Sequence, residues 1–265
     1  LEKGYDVHGI VRKENFDKNE KKWRIEKNIK KLTLHKDNLD NTESFLRILE
    51  TIKPSEVYHL AAQGVDGHSF NNEFYTFKNN INTTHIIVSA IKNFDIKIKF
   101  FFAGSSEMYG NITKFPQDED AIFDPVSAYG ISKLTSFHLV KSYRQNFNFM
   151  GSSAILFNHE SPRRDMYFVT RKISNGVAQI KKGIIKKITL GNVNSSRDWG
   201  HAKDYVNAMW LMLQKNKPDD YVIGTGKKHT VLEFAEIAFK YVGLNHLDFI
   251  NIDKNLVRNV ESDNR

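Results

Sequence analysis

Short apolar runs alternate with amphipathic stretches over residues 1–157, at a spacing that predicts repeated strand–helix units. Tyr5 to Val11 (YDVHGIV) predicts a strand, and Glu43 to Ile52 predicts a helix that stops near Pro54. Val57 to Ala62 (VYHLAA) predicts a second strand and Thr84 to Phe94 a second helix. Ile98 to Ala103 (IKFFFA) is apolar enough to be covered on both faces, as a parallel sheet requires. A long helix then opens near Ser127, and Ser153 to Phe157 predicts a fourth strand. The pattern is that of a doubly wound α/β sheet, in which ligands sit at the carboxyl ends of the strands.

Beyond residue 157 the pattern changes. Helices are predicted over Arg171 to Lys182, His201 to Gln214 and Val231 to Val242, with short strands at Ile188 to Leu190 and Tyr221 to Ile223. No Pro/Gly/Ser-rich linker separates the halves. Residues 158–265 are therefore expected to form mainly a smaller α/β lobe, with some segments returning to the first sheet.

Composition narrows the chemistry. The chain has 265 residues, 40% hydrophobic and 12% aromatic, which supports a real core, and no uninterrupted apolar run approaches a membrane span. With no cysteine, disulfide scaffolds, cysteine zinc sites and thiol nucleophiles are excluded, and no metal site is expected. The net charge is +8, yet the densest basic cluster, Lys18 to Lys31, contains Glu20 and Glu26. That mixture reads as a solvated face or loop, so a small anionic ligand is expected in preference to nucleic acid or membrane. LEKGYDVHGIVRKE lacks the zones of a secretory leader, which gives an expectation of the cytoplasm.

A dinucleotide-binding sheet should open with a strand, a glycine-rich turn and a helix N-terminus for the pyrophosphate. Leu1 to Gly4 instead resembles the end of that helix, so a strand and turn are expected upstream of Leu1. Tyr129 and Lys133 stand four residues apart, on one helical face, where an ammonium can favour a phenolate base. Such a pair is common by chance. Its context is more specific, because Gly104-Ser105-Ser106-Glu107 follows the third strand, where Ser105 can hydrogen-bond the oxygen that Tyr129 deprotonates.

GSSEMYG, SAYGISK, the run Leu156 to Ile173 (LFNHESPRRDMYFVTRKI) and the run Arg197 to Trp210 (RDWGHAKDYVNAMW) together resemble the GDP-mannose 4,6-dehydratase family of extended short-chain dehydrogenases/reductases. The resemblance runs over nearly the whole chain. It implies a Rossmann-type domain over 1–157, a bound NADP or NAD, a GDP-sugar substrate and a homodimer or homotetramer. It also implies a redox-neutral elimination with Ser105, Glu107, Tyr129 and Lys133 as catalytic residues. Matching positions place the cofactor at Arg12, Lys13, Asn38, Leu39, Leu60, Ala61, Ala62, Gln63, Tyr75, Lys133, His159 and Arg164. The sugar nucleotide falls to Asn158, Lys172, Arg197, Arg258 and Glu261.

Several positions depart from the family pattern. Asn38-Leu39 replaces Asp-Leu, Glu14 intrudes beside the basic pair expected at a 2′-phosphate, GVDGHSF follows where a serine-containing segment is usual, and Ser105 replaces threonine. NADP against NAD, and the hexose itself, stay open on these changes. A 4-epimerase or 4-reductase keeps the tyrosine and lysine but has no need of Glu107. A non-catalytic nucleotide-sugar-binding protein has no need of a base at Glu107 either.

Overall fold

The computed structural model describes residues 1–12, 22–64, 72–111 and 115–256. Strand β1 (His8–Val11) pairs in parallel with β2 (Thr33–Lys36), a short strand set among lysines that the apolar pattern did not mark. Helix α1 (Thr42–Ile52) starts at Asn41, whose side chain accepts from Ser44 N, and stops at Lys53 in a left-handed conformation ahead of Pro54. After β3 (Glu56–His59) come α2 (Glu73–Phe77) and α3 (Thr83–Phe94), joined by a π-helical turn over Lys78–Asn82. Strand β4 (Lys99–Ala103), helix α4 (Ala128–Phe147) and strand β5 (Gly151–Leu156) complete the first half. The second half runs β6 (Asn158–Glu160), α5 (Val169–Lys181), β7 (Ile188–Leu190), β8 (Ser196–His201), α6 (Ala202–Leu213), β9 (Asp220–Ile223), β10 (Lys228–Thr230), α7 (Val231–Tyr241) and β11 (Ile250–Ile252).

The largest sheet has the order β3-β4-β5-β9, all parallel, so a strand from late in the chain closes its edge. The three consecutive phenylalanines of β4 explain its double covering. Phe100 and Phe102 enter one core with Phe45, Leu49, Ile87, Ile91, Phe137 and Val140, while Phe101 enters the opposite core with Tyr205 and Met209. Strands β1 and β2 form their own two-stranded sheet, and among the described residues no ladder joins β1 to β3. Side chains span that interval: Tyr5 OH donates to Glu56 Oε1 at 3.1 Å and receives Trp210 Nε1–H at 2.9 Å. A further core, built on Ile173, Val177, Ile188, Val231 and Phe239, joins α5, β7 and α7, beside the small sheets β10-β8-β6 and β11-β7.

The strand expected over Val57 to Ala62 leaves the sheet at His59, so Leu60, Ala61 and Ala62 stand exposed just past the strand end. Within the basic stretch expected as a solvated face or loop, Lys22–Arg24 and Glu26–Lys31 form 3-10 turns; residues 13–21 lie outside the described residues. Among the described residues no helix is long and apolar enough to cross a membrane.

The first turn of α4 sits against the segment that follows β4. A Cβ on Gly130 would lie 2.6 Å from the backbone oxygen of Glu107, so the approach requires glycine. Gly130→Ala gains about 1 kcal/mol of helix propensity but meets an overpacking cost of about 1–3 kcal/mol. We expect a lower urea unfolding midpoint and loss of activity together; an unchanged or higher midpoint contradicts the packing account.

Candidate active site

The site begins where β4 ends. Gly104 has no room for a side chain, since a Cβ would stand 2.5 Å from Ala154 O on β5. The chain turns there into a short 3-10 helix, Ser106–Met108, capped by Ser105, whose Oγ accepts from Glu107 N at 3.2 Å. Ser127 caps α4 by accepting from Gly130 N at 3.0 Å, and its hydroxyl donates to Glu107 Oε2 at 3.3 Å. Two capped helix starts are thus held face to face. Glu107 comes from one and Tyr129 from the other.

Lys133 lies one turn further along α4 and is only 3% exposed. Its Nζ donates to Ala103 O at 2.8 Å, the last carbonyl of β4, and stands 5.1 Å from the Phe102 ring centre and 5.8 Å from that of Tyr129. Burial pushes the lysine down to about 8. Tyr129 is pushed up to about 12, by burial first and the Glu107 carboxylate second, while its hydrogen bond with Ser105 and the charge of Arg164 pull the other way. The expectation that the neighbouring ammonium brings Tyr129 down towards a phenolate is corrected here: in the protein by itself, desolvation and the neighbouring carboxylate win.

Beside this pair runs a polar network that the apolar pattern did not reveal. Asn80, buried in the π-helical turn, accepts from Gln63 N at 2.7 Å and donates to Ser132 Oγ at 2.9 Å. Ser132 donates in turn to Tyr129 O at 2.7 Å. Gln63 is thereby tied to the helix that carries Tyr129. The sequence signal was the stretch Asn79 to Thr84, polar but for Ile81, which interrupts the helical periodicity.

The other expected positions divide into groups. Arg12 and Tyr75 are brought together, with Arg12 Nη1 donating to Tyr75 OH at 2.8 Å and Nη2 to Asn79 Oδ1 at 2.6 Å. Leu60, 57% exposed, and Ala61 and Ala62 form an uncovered apolar shelf at the carboxyl end of β3. Asn38 and Leu39 lie past β2; Leu39 is buried in the core that holds Phe45 and Leu49, has φ 55°, and its N–H donates to Asp37 Oδ1 at 2.6 Å. His159 stacks on Tyr205 at 4.8 Å and meets Phe157 O at 2.9 Å through Nδ1, which fixes its Nδ1–H tautomer. Arg164 lies over the Phe168 ring at 3.4 Å and pairs with Glu160 at 3.4 Å. Asn158 is on β6, beside Trp199 of β8, Lys172 is exposed on α5, and Arg197 on β8 donates to Ser196 O at 2.7 Å. Lys13, Arg258 and Glu261 fall outside the described residues. Among the described residues no group of three or more His, Asp or Glu is placed to hold a metal ion.

An all-parallel sheet with helices packed on both faces, and Ser105, Tyr129 and Lys133 gathered at its carboxyl edge, is a Rossmann-type α/β fold. Solved structures agree on the fold: a Thermotoga maritima UDP-glucose 4-epimerase superposes with TM-score 0.83 at 23% identity over 97% of this chain and 81% of that one. The protein RMD of Pseudomonas aeruginosa, solved with NADPH, gives 0.80 at 21% identity over 94% and 87%. A sequence model of the GDP-mannose 4,6 dehydratase family matches residues 1–264, and the chain belongs to that family. It is 44% identical to GDP-mannose 4,6 dehydratase 1 of Arabidopsis thaliana, over 100% of this chain and 75% of that protein. It is 43% identical to the human GDP-mannose 4,6 dehydratase, over 92% of this chain and 67% of that protein.

The buried lysine has a measurable signature. The unfolded chain holds this proton up to its ordinary value of 10.5, while the folded chain releases it from about 8. Between those values the unfolded state binds more protons, so the lysine's destabilising contribution fades as pH rises. Lys133→Met removes that contribution. The variant's advantage in urea midpoint over the parent chain is expected to be larger at pH 8 than at pH 10; an advantage that does not change with pH contradicts the buried ammonium.

Proposed function

We propose that the chain is a nucleotide-sugar 4,6-dehydratase that converts GDP-mannose, or a close GDP-sugar, to the 4-keto-6-deoxy product. The observation that carries this reading is Glu107, held by Ser127 on the turn after β4 and close enough to Tyr129 to raise its pKa. A protein that only binds or only oxidises has no use for a second base there.

A dinucleotide fits the residues present. The uncovered shelf of Leu60, Ala61 and Ala62 offers apolar area to a flat ring, Gln63 is fixed by Asn80, and Arg12 stands at the end of β1. When bound, it would supply the hydride acceptor for carbon 4 of the sugar and the hydride donor for carbon 6. We read the cofactor as NADP because a basic pair, Arg12 and Lys13, follows β1. Both terminal nitrogens of the Arg12 guanidinium already have protein partners, so the 2′-phosphate would share or replace Tyr75. The sugar nucleotide is assigned to Asn158, Lys172 and Arg197, with Arg258 and Glu261, in the lobe of residues 158–265.

The chain's own residues then act in sequence. Tyr129, with Ser105 on its oxygen and Lys133 and Arg164 as nearby cations, takes the proton of the sugar 4-hydroxyl. The resulting ketone makes the carbon 5 proton acidic. Glu107 removes that proton and delivers it to the 6-hydroxyl, which departs as water; once hydride is back on carbon 6, Glu107, reprotonated from solvent, returns a proton to carbon 5 while Tyr129 releases the 4-hydroxyl proton to solvent, so the net change is the loss of one water. We further propose a homodimer or homotetramer in the cytoplasm, without nucleic acid or membrane as partner.

Incubation with GDP-mannose should yield a product lighter by one water in mass spectrometry. Glu107→Gln keeps the shape and loses the base, so turnover should fall by about 10²–10⁴ while GDP-mannose affinity stays within about twofold. Solvent deuterium should no longer enter carbon 5. Normal turnover by this variant removes Glu107 from the mechanism.

A further inference from the structure

Asn79 has no place in the proton transfers above, yet it makes the shorter of the two side-chain hydrogen bonds to Arg12. It stands in the π-helical turn over Lys78–Asn82, where its Oδ1 accepts from Arg12 Nη2 at 2.6 Å and its Nδ2 donates to Tyr75 O at 2.7 Å. A guanidinium only donates and a backbone carbonyl only accepts, so the carboxamide stands one way round. The next residue, Asn80, is buried and holds Gln63 N. One turn therefore grips the segments leaving both β1 and β3, across the interval where no ladder joins these strands among the described residues. The hold on Arg12 is neutral. A tyrosine hydroxyl and a carboxamide take two of its five N–H groups, and among the described residues no carboxylate pairs with it. A guanidinium held in this way has given up its side-chain freedom in advance and keeps its whole charge for an anion. The two partners are not equivalent: Tyr75 is 42% exposed and its hydroxyl meets Arg12, whereas the Asn79 carboxamide is anchored a second time, on the Tyr75 backbone. The Tyr75 hydroxyl is the partner an incoming anion exchanges with, and Asn79 is the partner that stays.

We propose that Asn79 is a specificity-determining positioning residue of the dinucleotide site: by fixing Arg12 Nη2 without neutralising it, Asn79 makes the guanidinium a preformed receptor for a phosphate monoester on the adenosine ribose, and so selects NADP over NAD. An aspartate in its place would offer the same acceptor but would spend the arginine's charge within the protein. A small apolar residue would leave the charge and lose the orientation. The inference rests on the reading of a dinucleotide site at the end of β1, and is independent of the sugar chemistry.

Isothermal titration of the full chain with NADP⁺ and with NAD⁺ reads both affinities without turnover. The parent should bind NADP⁺ the more tightly, by about tenfold or more. Asn79→Ala should weaken NADP⁺ by about tenfold and leave NAD⁺ within about twofold, which also shows that the variant is folded. Asn79→Asp should weaken NADP⁺ at least as much, again with NAD⁺ unmoved; a role confined to shape would leave this variant like the parent. In an Arg12→Ala background, Asn79→Ala should change neither affinity, because the residue it positions is gone. A NADP⁺ to NAD⁺ preference that survives in Asn79→Ala or Asn79→Asp overturns the proposal, and so does a loss of NADP⁺ affinity that persists in full without Arg12. If Asn79→Ala does not fold, Asn79→Asp decides on the same readout. A parent chain that binds NAD⁺ as tightly as NADP⁺ sinks the NADP reading and this proposal with it, whereas variants that keep a parental preference sink the proposal alone.

Discussion

Everything in the site depends on one backbone contact: the first turn of α4 lying directly on the turn that follows β4. Gly130 permits it on the helix side, and Gly104 lets the turn press against β5 at the same place. Neither position tolerates even a methyl group without moving main chain. From this contact Ser105 and Glu107 gain their placement against Tyr129, and Lys133 reaches the last carbonyl of β4 one turn later. The sheet contributes rigidity. Phe100, Phe101 and Phe102 anchor β4 in cores on both of its faces, so the turn at its end has a fixed base.

The same closeness sets the electrostatics. Burying a tyrosine and a lysine beside a carboxylate disfavours the charged forms of both, and the tyrosine is left protonated in the protein alone. A base in this condition acts only when cations and hydrogen-bond donors converge on its oxygen. Ser105 and Arg164 already pull in that direction, and Lys133 stands in reserve on the Ala103 carbonyl. Such opposed environments, one group pushed up and its neighbour pushed down, are what acid–base sites use to work near neutral pH.

Much of this was legible in the sequence, for definite reasons. The buried strand IKFFFA and the amphipathic segment Glu43 to Ile52 announced themselves by periodicity, and Ser105, Glu107, Tyr129 and Lys133 by their place after a strand and in a helix's first turns. What stayed hidden lacked an apolar pattern. Strand β2 is four residues among lysines, β8 is written SRDWGH with charges inside a strand, and Asn80 sits where a π-turn breaks the helix. The state of Tyr129 was misjudged because spacing reveals a neighbouring ammonium but not the loss of water around the phenol. Arg12 stood in the sequence as half of a basic pair expected at a 2′-phosphate; only the fold shows its guanidinium already engaged by Tyr75 and Asn79.

The central claim is that one constellation removes protons from two positions of a single sugar while hydride moves within it. GDP-mannose deuterated at carbon 4 tests this directly, with the product read by NMR. The account predicts that deuterium reappears at carbon 6 of a 4-keto-6-deoxy sugar, with the hydrogen at carbon 5 drawn from solvent. Deuterium still at carbon 4, or lost to solvent with no change at carbon 6, contradicts it.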